Sequence, residues 1–447
     1  MEGLEISVIK LSEVLEDVDL RLESEYYNSE HIVFNSVQGC DIESFSQYGT
    51  SEDLNEEGKG FPILRLNEFD SFFISKPSKY CDLISKETFE LLKLKKNDVL
   101  ICRTNGNPKY VGKAAIVPKN YEYAFASYVF RLRPKTDIIN SATLVSFLNS
   151  KYGRIEIEKY SMVGNQANFS PAKFRQIAIP ILSKELNNKI EEIVYKSFEL
   201  LEESKSLYSQ AEDLLLGELG LKDWRPKNTL HTTKKFSDFA QSGRLDAEYY
   251  QPKYDEIEKA IKSYKGGYDI VSNLFNQNLD VCDYKKTEYN YIEIGDVNVG
   301  DGSVSFNKVE TSELPDNAKR VLNKNDILIS KVRPYRGAVA IIDFEQEDLI
   351  GSGAFTVLQE KSSYKKETLQ ILFRTAVYKD WLLKWNVGSS YPVIKDEDIL
   401  NLPIPILPEQ IQTKIASLIQ QSFECKAQSK QLLEDAKRMV EAEIEKN

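Results

Sequence analysis

The chain contains one pattern written twice. The segment RLESEYYNSEH, which begins at Arg21, returns 223 positions later as RLDAEYYQPKY, which begins at Arg244. LKKNDVLICR (94–103) returns as LNKNDILISK (322–331), and IAIPIL (177–182) returns as LPIPIL (402–407), at offsets of 228 and 225. Several matches in the same order at a nearly constant offset indicate a duplication. The period indicates two duplicated domains, because solenoid repeats have periods of roughly 20–50 residues.

The duplication makes DNA the first candidate ligand. Two similar domains in one chain can be related by a pseudo-two-fold axis. Duplex DNA has two-fold symmetry of its own, and proteins that bind two half-sites commonly present two copies of one recognition element.

The composition argues against several classes of chemistry. The 447 residues suffice for about two to four domains. A run of 18 apolar residues, which would predict a membrane span, is missing from the sequence, and so are the marks of a signal peptide. Five isolated cysteines fit a cytoplasmic protein without a disulfide framework or structural zinc. Two histidines make histidine-based catalysis improbable.

The net charge of −11 is unusual for a DNA-binding protein. Affinity for the DNA backbone comes from lysine and arginine at the phosphates. We therefore expect the free chain to bind DNA weakly. We also expect its basic residues to be concentrated on one face, and a partner protein to supply further phosphate contacts.

Each half of the sequence predicts a mixed domain. Short apolar and β-branched segments, punctuated by Gly, Pro and Asn, predict strands. These segments begin at Pro62, Asp98, Ala114 and Ala126 in the first half, and at Tyr291, Asp326, Ala338 and Ala354 in the second. A helical stretch follows in each copy, from Thr143 and from Thr368. Strands in meander order with interspersed helices predict an α+β fold.

A long polar tract with heptad spacing ends each half. In the first tract the seam residues are Val194, Leu201, Tyr208 and Leu215, with Ile190, Ser197, Ser204 and Ala211 four positions earlier. In the second they are Ile419, Lys426, Leu433 and Val440, with Ile415, Ser422, Ser429 and Ala436. This spacing predicts a coiled coil. We expect the two helices to pair antiparallel, and the small seam residues to allow a close approach; two unrelated solvated helices are the alternative.

These elements predict two repeated α/β domains joined by two long antiparallel helices with pseudo-two-fold symmetry. The predicted boundaries are residues 1–182 for the first domain, 183–222 for the central helix, 223–407 for the second domain and 408–447 for the C-terminal helix. A helix of about 35 residues is roughly 50 Å long, which exceeds one turn of DNA at roughly 34–36 Å.

Signatures of catalysis are missing from the sequence. It has no GxxxxGK[ST] or GxGxxG phosphate-binding motif, no [DNS]PP[YFW] adenine-methylation motif and no PD-(D/E)xK nuclease pattern. Acidic pairs such as Glu191-Glu192 lie on a predicted helix, where a solvated face explains them. We therefore expect this chain to carry no catalytic site, metal site or cofactor.

Candidate recognition residues follow the equivalent strand in each copy. The loops are NGNPKYVGKAA (105–115) and RPYRGAVA (333–340). Arginine and lysine read guanine edges or hold phosphates, and asparagine reads adenine. The candidate DNA contacts are Arg103, Asn105, Asn107, Lys109, Tyr110 and Lys113 in the first copy, and Lys331, Arg333, Tyr335 and Arg336 in the second. An ordinary basic hairpin is the alternative, but the same frame with different residues in both copies favours recognition.

A second pair of loops precedes the IPIL segments. VGNQANFSPAKF (163–174) offers Gly164, Asn165 and Gln166, and VGSSYPVIKDED (387–398) offers Ser389, Ser390 and Tyr391. Short amide and hydroxyl side chains behind a glycine suit base edges and phosphate oxygens. They also suit helix caps, and we interpret Ser170-Pro171 as an N-cap followed by a proline at the first helical position.

Taken together, the chain resembles the specificity (S) subunits of type I restriction–modification systems. The resemblance rests on the loops GNQANFS (164–170) and GSSYPVI (388–394), on LPIPILPEQ (402–410) leading into a long helix, on RLDAEYYQPKY and on the repeat. It extends over essentially the whole chain. It implies a non-catalytic subunit with two target-recognition domains, each reading half of a bipartite site in double-stranded DNA. The first half departs from the pattern, because Ser183 and Lys184 stand where the second half has Pro408 and Glu409.

The resemblance also implies partners. Two methyltransferase (M) subunits carrying S-adenosylmethionine would dock on the helices, and restriction (R) subunits would add ATP-dependent translocation and cleavage. A solitary DNA methyltransferase-like enzyme with a duplicated recognition domain is one alternative, and the missing methylation motif argues against it. A coiled-coil scaffold protein is another, and it would not need repeated strands with matched basic loops.

Overall fold

The chain forms two compact units. The computed structural model describes residues 8–16, 34–70, 72–161, 167–227, 229, 231–388 and 391–446. Unit 1 comprises Met1–Leu201 with Lys426–Asn447, and unit 2 comprises Glu202–Cys425. Each unit thus includes part of both long helices. The boundaries drawn from the sequence, which treat the helices as separate segments, stay a prediction.

Unit 1 combines short strands with helices of different lengths. Its strands are β1 (Ser36–Gln38), β2 (Glu43–Tyr48), β3 (Phe61–Leu64), β4 (Phe69–Asp70), β5 (Phe73–Ile74), β6 (Lys79–Cys81), β7 (Val99–Cys102), β8 (Thr104–Asn105), β9 (Ala114–Ile116), β10 (Ala124–Phe125), β11 (Val129–Pro134), β12 (Ala167–Asn168) and β13 (Ala178–Pro180). Its helices are α1 (Leu11–Glu16), α2 (Gly39–Ile42), α3 (Lys86–Leu92), α4 (Ser141–Leu148), α5 (Lys151–Tyr160), α6 (Pro171–Phe174) and the first part of α7 (Lys184–Leu219).

Unit 2 is built from the same kinds of element. Its strands are β14 (Tyr268–Ile270), β15 (Phe275–Gln277), β16 (Glu288–Ile292), β17 (Asn307–Glu310), β18 (Ala318–Val321), β19 (Ile327–Ser330), β20 (Val339–Ile341), β21 (Leu349–Ser352), β22 (Phe355–Glu360) and β23 (Pro403–Pro405). Its helices are α8 (Phe236–Ser242), α9 (Pro252–Lys262), α10 (Val271–Leu274), α11 (Lys366–Arg374), α12 (Ala376–Trp381), α13 (Asp396–Leu400) and the first part of α14 (Glu409–Ile444).

The sheets confirm the duplication. The antiparallel order β2-β11-β7-β9 in unit 1 corresponds strand by strand to β15-β22-β19-β20 in unit 2. The parallel pair β3-β10 corresponds to β16-β21, and β1-β13 corresponds to β14-β23. The α+β class is therefore confirmed. The expected meander order is wrong, because β2 pairs with β11 and β3 with β10, which are distant in the sequence.

The two long helices begin at equivalent positions, 225 residues apart. Asn187 Nδ2 donates a hydrogen bond to Leu182 O (3.2 Å), and its equivalent Gln412 Nε2 donates one to Leu407 O (2.8 Å). Ser183 Oγ accepts a hydrogen bond from the backbone of α7 (3.2 Å). Ser183, which stands where the second copy has Pro408, thus caps the helix.

The seam between the long helices contains the predicted small residues. In unit 1, Ser197 Oγ hydrogen-bonds to Ser429 Oγ (2.8 Å) and donates to Ser429 O (3.0 Å). In unit 2, the equivalent Ser422 Oγ hydrogen-bonds to Ser204 Oγ (2.9 Å) and donates to Ser204 O (2.8 Å). Ser197 pairs with Ser429 and Ser204 pairs with Ser422, so the residue numbers rise along α7 as they fall along α14. The antiparallel pairing is therefore confirmed.

Apolar seam residues belong to the cores of the units. The unit 1 core includes residues of α7 and α14: Ile190, Val194, Leu433, Ala436, Val440 and Ile444. The unit 2 core likewise includes Ala211, Leu215, Ile415 and Ile419. Burial of one such aliphatic side chain contributes about 1.5–3 kcal/mol, so each unit depends on both helices.

A buried aspartate precedes the equivalent central strand in each unit. In unit 1, Asp98 forms ion pairs with Arg131 (3.2 Å) and Arg133 (2.5 Å). In unit 2, Asp326 instead accepts hydrogen bonds from neutral groups, including Asn278 Nδ2 (3.0 Å). Burial raises the pKa of Asp326 above its ordinary value, because the charged form loses its hydration.

We expect Asp98→Asn to destabilise the protein far more than Asp326→Asn. The first substitution leaves the buried guanidinium of Arg131 without a carboxylate, which costs roughly 3–5 kcal/mol. The second removes a charge whose burial is unfavourable. Because the folded-state pKa of Asp326 is raised, wild-type stability falls relative to Asp326→Asn as the pH rises above the unfolded pKa of about 3.9. Calorimetric unfolding of both variants from acidic to neutral pH measures this, and equal losses would contradict it.

Candidate nucleic-acid interface

In unit 1 the basic loop leaves the sheet after β7 and is shaped by asparagines. Asn105 Oδ1 accepts a hydrogen bond from Asn107 N (2.8 Å), and Asn107 Oδ1 accepts one from Lys109 N (3.1 Å). Pro108 then begins a short 3₁₀ turn that ends at Tyr110. The two asparagines predicted as base contacts therefore also fold the turn, as asparagine commonly does.

In unit 2 the equivalent loop is shaped by two residues with a left-handed backbone conformation. Arg333 and Gly337 flank the 3₁₀ turn Pro334–Arg336, with φ of +48° and +74°. Glycine adopts this conformation freely, whereas a strained non-glycine residue costs of order 1–3 kcal/mol. Arg333 N donates to Pro392 O (2.8 Å), and its guanidinium lies 4.3 Å from the ring centroid of Tyr391. These contacts hold Arg333 in place.

The second pair of loops lies against the first pair. In unit 1, β12 pairs with β8, so that Asn168 lies opposite Thr104. In unit 2, Val393 forms β-bridges with Val332 and Val387. The two loops of each copy were predicted as separate candidates. In each unit the described part of the second loop pairs with the first loop.

Part of the second loops lies outside the described residues, namely Gly164, Asn165, Gln166, Ser389 and Ser390. Tyr391 is described and 60% exposed. Ser170 Oγ accepts a hydrogen bond from Lys173 N (3.4 Å), and Pro171 is the first residue of α6. The interpretation of Ser170-Pro171 as a helix cap is confirmed.

The cations at the ends of the central strands are engaged by the protein itself. Lys331 Nζ forms an ion pair with Asp396 (3.1 Å). The guanidinium of Arg103, at the equivalent position, lies 4.7 Å from the ring centroid of Tyr48. Both were predicted as DNA contacts, and both have a structural role at the base of the loop.

The cations further along the loops lack carboxylate partners among the described residues, and the guanidinium of Arg333 contacts an aromatic ring, that of Tyr391. Within the described part of the chain, no ion pair is formed by Lys109, Lys113, Arg333 or Arg336. Exposed tyrosines accompany them, with Tyr110 at 46% and Tyr335 at 40% exposure. Unpaired cations beside exposed aromatic rings form a surface that can bind phosphates and base edges.

A cleft adjoins the basic loop in each unit. The unit 1 cleft has a volume of about 420 Å³ and is lined by Leu66, Asn67, Phe69, Asn105, Tyr110 and Lys113. The unit 2 cleft has a volume of about 650 Å³, and its polar lining includes Glu293, Asn317, Arg333, Arg336, Ser352 and Tyr391. Predicted contact residues thus line a concave surface in both units.

One wall of each cleft was not predicted from the sequence. This wall comes from the equivalent 3₁₀ turns Leu66–Glu68 and Ile294–Asp296. The acidic third residue of each turn accepts a hydrogen bond from the backbone N–H preceding the turn, at 2.8 Å in both units. Glu68 and Asp296 are acidic residues 228 positions apart, and this repeat was the sequence signal that could have identified the two turns.

The residue preceding this turn differs in charge between the units. Unit 1 has Arg65, which forms an ion pair with Glu68 (3.2 Å). Unit 2 has Glu293, which is exposed and lines the cleft. A carboxylate such as that of Glu293 can accept a hydrogen bond from the cytosine amino group, whereas Arg65 is engaged by Glu68. The two surfaces therefore offer different chemistry on one framework.

A cysteine beneath the unit 1 loop is unsuited to nucleophilic chemistry. Burial raises the pKa of Cys102 to about 12, so its thiol stays protonated near neutral pH. Groups of three or more metal-binding side chains are not found among the described residues. In the same part of the chain, none of the helices has the length and apolar character needed to cross a membrane.

Residues 269–438 match the protein family described as the type I restriction modification DNA specificity domain. The resemblance inferred from the sequence is thereby confirmed over this segment, which contains the unit 2 loops and cleft and most of α14. No curated protein matches the chain.

Solved S-subunit structures are similar to this chain over most of its length. One is the type I restriction–modification S subunit from M. genitalium, at 13% identity, covering 93% of this chain and 96% of that one, with a TM-score of 0.44. Another is the HsdS subunit from Thermoanaerobacter tengcongensis, at 12% identity, covering 92% and 96%, with a TM-score of 0.29. A third, from a study of type I complex assembly and conformational transition, is 14% identical, covers 92% and 97%, and has a TM-score of 0.29.

Unit 1 lies almost entirely outside the segment that matches the specificity domain. Its relation to that domain comes from the internal repeat. It has the same central sheet order as unit 2, and its 3₁₀ turn Pro108–Tyr110 is equivalent to Pro334–Arg336.

We expect Arg333→Gly to be more stable than Arg333→Ala. Both substitutions remove the guanidinium from Tyr391, but glycine adopts a φ of +48° without strain. The expected difference is about 1 kcal/mol. Urea unfolding followed by tryptophan fluorescence measures it in the relevant unit, because Trp224, Trp381 and Trp385 all lie in unit 2. Equal stability of the two variants would show that the left-handed backbone imposes no constraint.

Proposed function

We propose that the chain is the non-catalytic DNA sequence-specificity subunit of a type I restriction–modification complex. Unit 1 reads one half of a bipartite duplex target and unit 2 reads the other. The observation that carries this proposal is the repeated surface: unpaired cations and an exposed tyrosine on the same 3₁₀ turn of both units, beside a cleft. The match of residues 269–438 to the DNA specificity domain supports it.

The two half-sites differ in sequence because the two turns carry different side chains. The unit 2 loop has Arg333 and Arg336, and arginine pairs bidentately with guanine in the major groove. The unit 1 loop has Lys109 and Lys113, and lysine contributes a compact charge suited to phosphate as well as to guanine.

The proposed complex places the chemistry on partner subunits in the cytoplasm. Two methyltransferase (M) subunits dock on α7 and α14 and bind S-adenosylmethionine, and restriction (R) subunits bind ATP. The repeat of one long helix in two equivalent positions supports two equivalent docking surfaces. Methylome sequencing of cells that carry the intact system tests the proposal, since a bipartite adenine-methylated motif is expected and should vanish when this chain is deleted.

Triple alanine substitutions in the two turns should act on separate half-sites. We expect replacement of Arg333, Tyr335 and Arg336 to relax or abolish recognition of one half-site. Each lost bidentate base contact costs roughly 1–3 kcal/mol of discrimination. Binding of the complex to duplexes with single-base variants in both half-sites measures this.

The matched variant replaces Lys109, Tyr110 and Lys113 and should affect the other half-site. A lost phosphate contact would instead weaken binding to all sequences and lower the salt slope by about one. If either triple variant alters preference in both halves, the assignment of one unit to each half-site is wrong.

The chain alone should bind its target DNA poorly and gain affinity with its methyltransferase partner. Its net charge is −11, and phosphate contacts supply most of the affinity of DNA-binding proteins. Fluorescence anisotropy at physiological salt, with and without the co-purified partner, measures the gain. Equally tight specific binding by the free chain would contradict this expectation.

A further inference from the structure

We propose that Arg374 is a positioning residue for recognition in unit 2, which holds the loops beside the cleft and ties them to the long helix α7. This inference rests on the proposed function and deepens it. Arg374 is the last residue of α11 and is 7% exposed. It does not face the DNA-binding surface directly, so it acts through the backbone that it binds.

The guanidinium bridges two loops of unit 2. Arg374 Nη1 donates to Gly337 O (3.0 Å), and Nη2 donates to Val299 O (3.0 Å). Gly337 ends the turn that carries Tyr335 and Arg336, and Val299 lines the cleft. One buried side chain thus fixes the distance between the basic turn and the opposite wall of the cleft.

The same guanidinium reaches α7. Arg374 Nε donates to Tyr208 Oη (2.5 Å), and the guanidinium lies 5.4 Å from the ring centroid of Tyr208. Tyr208 occupies a heptad position of α7. Within the described residues Arg374 forms no ion pair, so its buried charge is stabilised by carbonyl and hydroxyl oxygens.

Neighbouring side chains make the loop side of this bridge rigid. Gln370 Nε2, one turn earlier on α11, donates to Gly302 O (3.1 Å). A Cβ at Gly302 would lie 2.7 Å from Gln370 Nε2 and 2.8 Å from Val339 O, so the loop packs closely against the helix and strand. Because the loop is closely packed there, a shift of Arg374 would also displace the loop backbone.

Unit 1 holds its loop differently. Arg154 of α5 donates to Val111 O (2.8 Å) and Lys109 O (3.4 Å). The residues equivalent to Arg374 and Tyr208 by the 225-residue offset are Asn149 and Leu433. The loop-holding arginine is thus present in both units, but the polar link from that arginine to a long helix belongs to unit 2.

The decisive variant is Arg374→Lys in the full chain, purified with its partner. Lysine keeps the charge, but its single nitrogen cannot replace the rigid fork that spans Tyr208, Gly337 and Val299. Discrimination between bases should fall on the order of 3- to 30-fold at the half-site that the triple alanine variant of Arg333, Tyr335 and Arg336 affects. The other half-site and the salt slope should not change, because Arg374 contacts no phosphate.

Two further variants serve as the matched control and the milder test. Arg154→Lys should lower discrimination at the opposite half-site only. Tyr208→Phe removes one hydrogen bond, keeps the ring in the seam, and should give a smaller loss at the unit 2 half-site. Tryptophan fluorescence reports whether unit 2 remains folded.

The inference is overturned if Arg374→Lys folds and leaves both half-sites at wild-type discrimination, even if it lowers thermal stability. Equal losses at both half-sites would also overturn it. If Arg374→Lys does not fold, the Tyr208→Phe variant decides by the same criterion, and unchanged discrimination overturns the inference. A wild-type complex without sequence preference would overturn the proposed function itself, which is a separate result.

Discussion

The pairing of the two long helices is the interaction on which both units depend. In unit 1, Leu433 and Val440 of α14 complete a core that also contains Val194 of α7. In unit 2, Leu215 of α7 lies in the same core as Ile419 of α14. Each unit therefore needs residues of both long helices to bury its apolar surface. Residues 426–447 belong to unit 1, so its core is complete only when they pack against residues more than 200 positions earlier in the chain. Bringing such distant segments together carries a loop-entropy cost in folding.

Duplication preserved the framework, while individual positions in it acquired different chemistry. The buried Asp98 and Asp326 precede equivalent strands, yet Asp98 is paired with arginines and Asp326 accepts hydrogen bonds from uncharged donors. Arg65 and Glu293 precede equivalent turns with opposite charge. Because sheet order and turn positions are the same in both units, such substitutions change the local chemistry without changing where the turns lie. Under the proposed function, this separation of framework from side-chain chemistry lets each unit read its own half of the target.

Sequence alone predicted the features that depend on local pattern, and it failed where distant residues meet. The repeat offsets predicted equivalent strands, and the heptads predicted a seam of small residues such as Ser197 and Ser204, which is confirmed. Strand pairing is a matter of distant residues, so the meander order was wrong. The ion pair of Lys331 with Asp396, 65 residues later, likewise gave no local pattern, and neither did the walls of the clefts. Asn107 was predicted only as a DNA contact, although its side chain also folds the turn, because base contact and turn formation favour the same residue type.

The acidic net charge is compatible with the proposed DNA-binding surface because electrostatic interactions in salt solution are local. At physiological ionic strength the Debye length is about 8 Å, so a phosphate at the loops is influenced mainly by nearby charges. Elsewhere in the units, many lysines and arginines are neutralised by carboxylates, as Lys253 is by Asp380 (3.0 Å). Lys109 and Arg336 have no such partner within the described residues. The loops therefore keep cations without carboxylate partners although the chain is acidic in total.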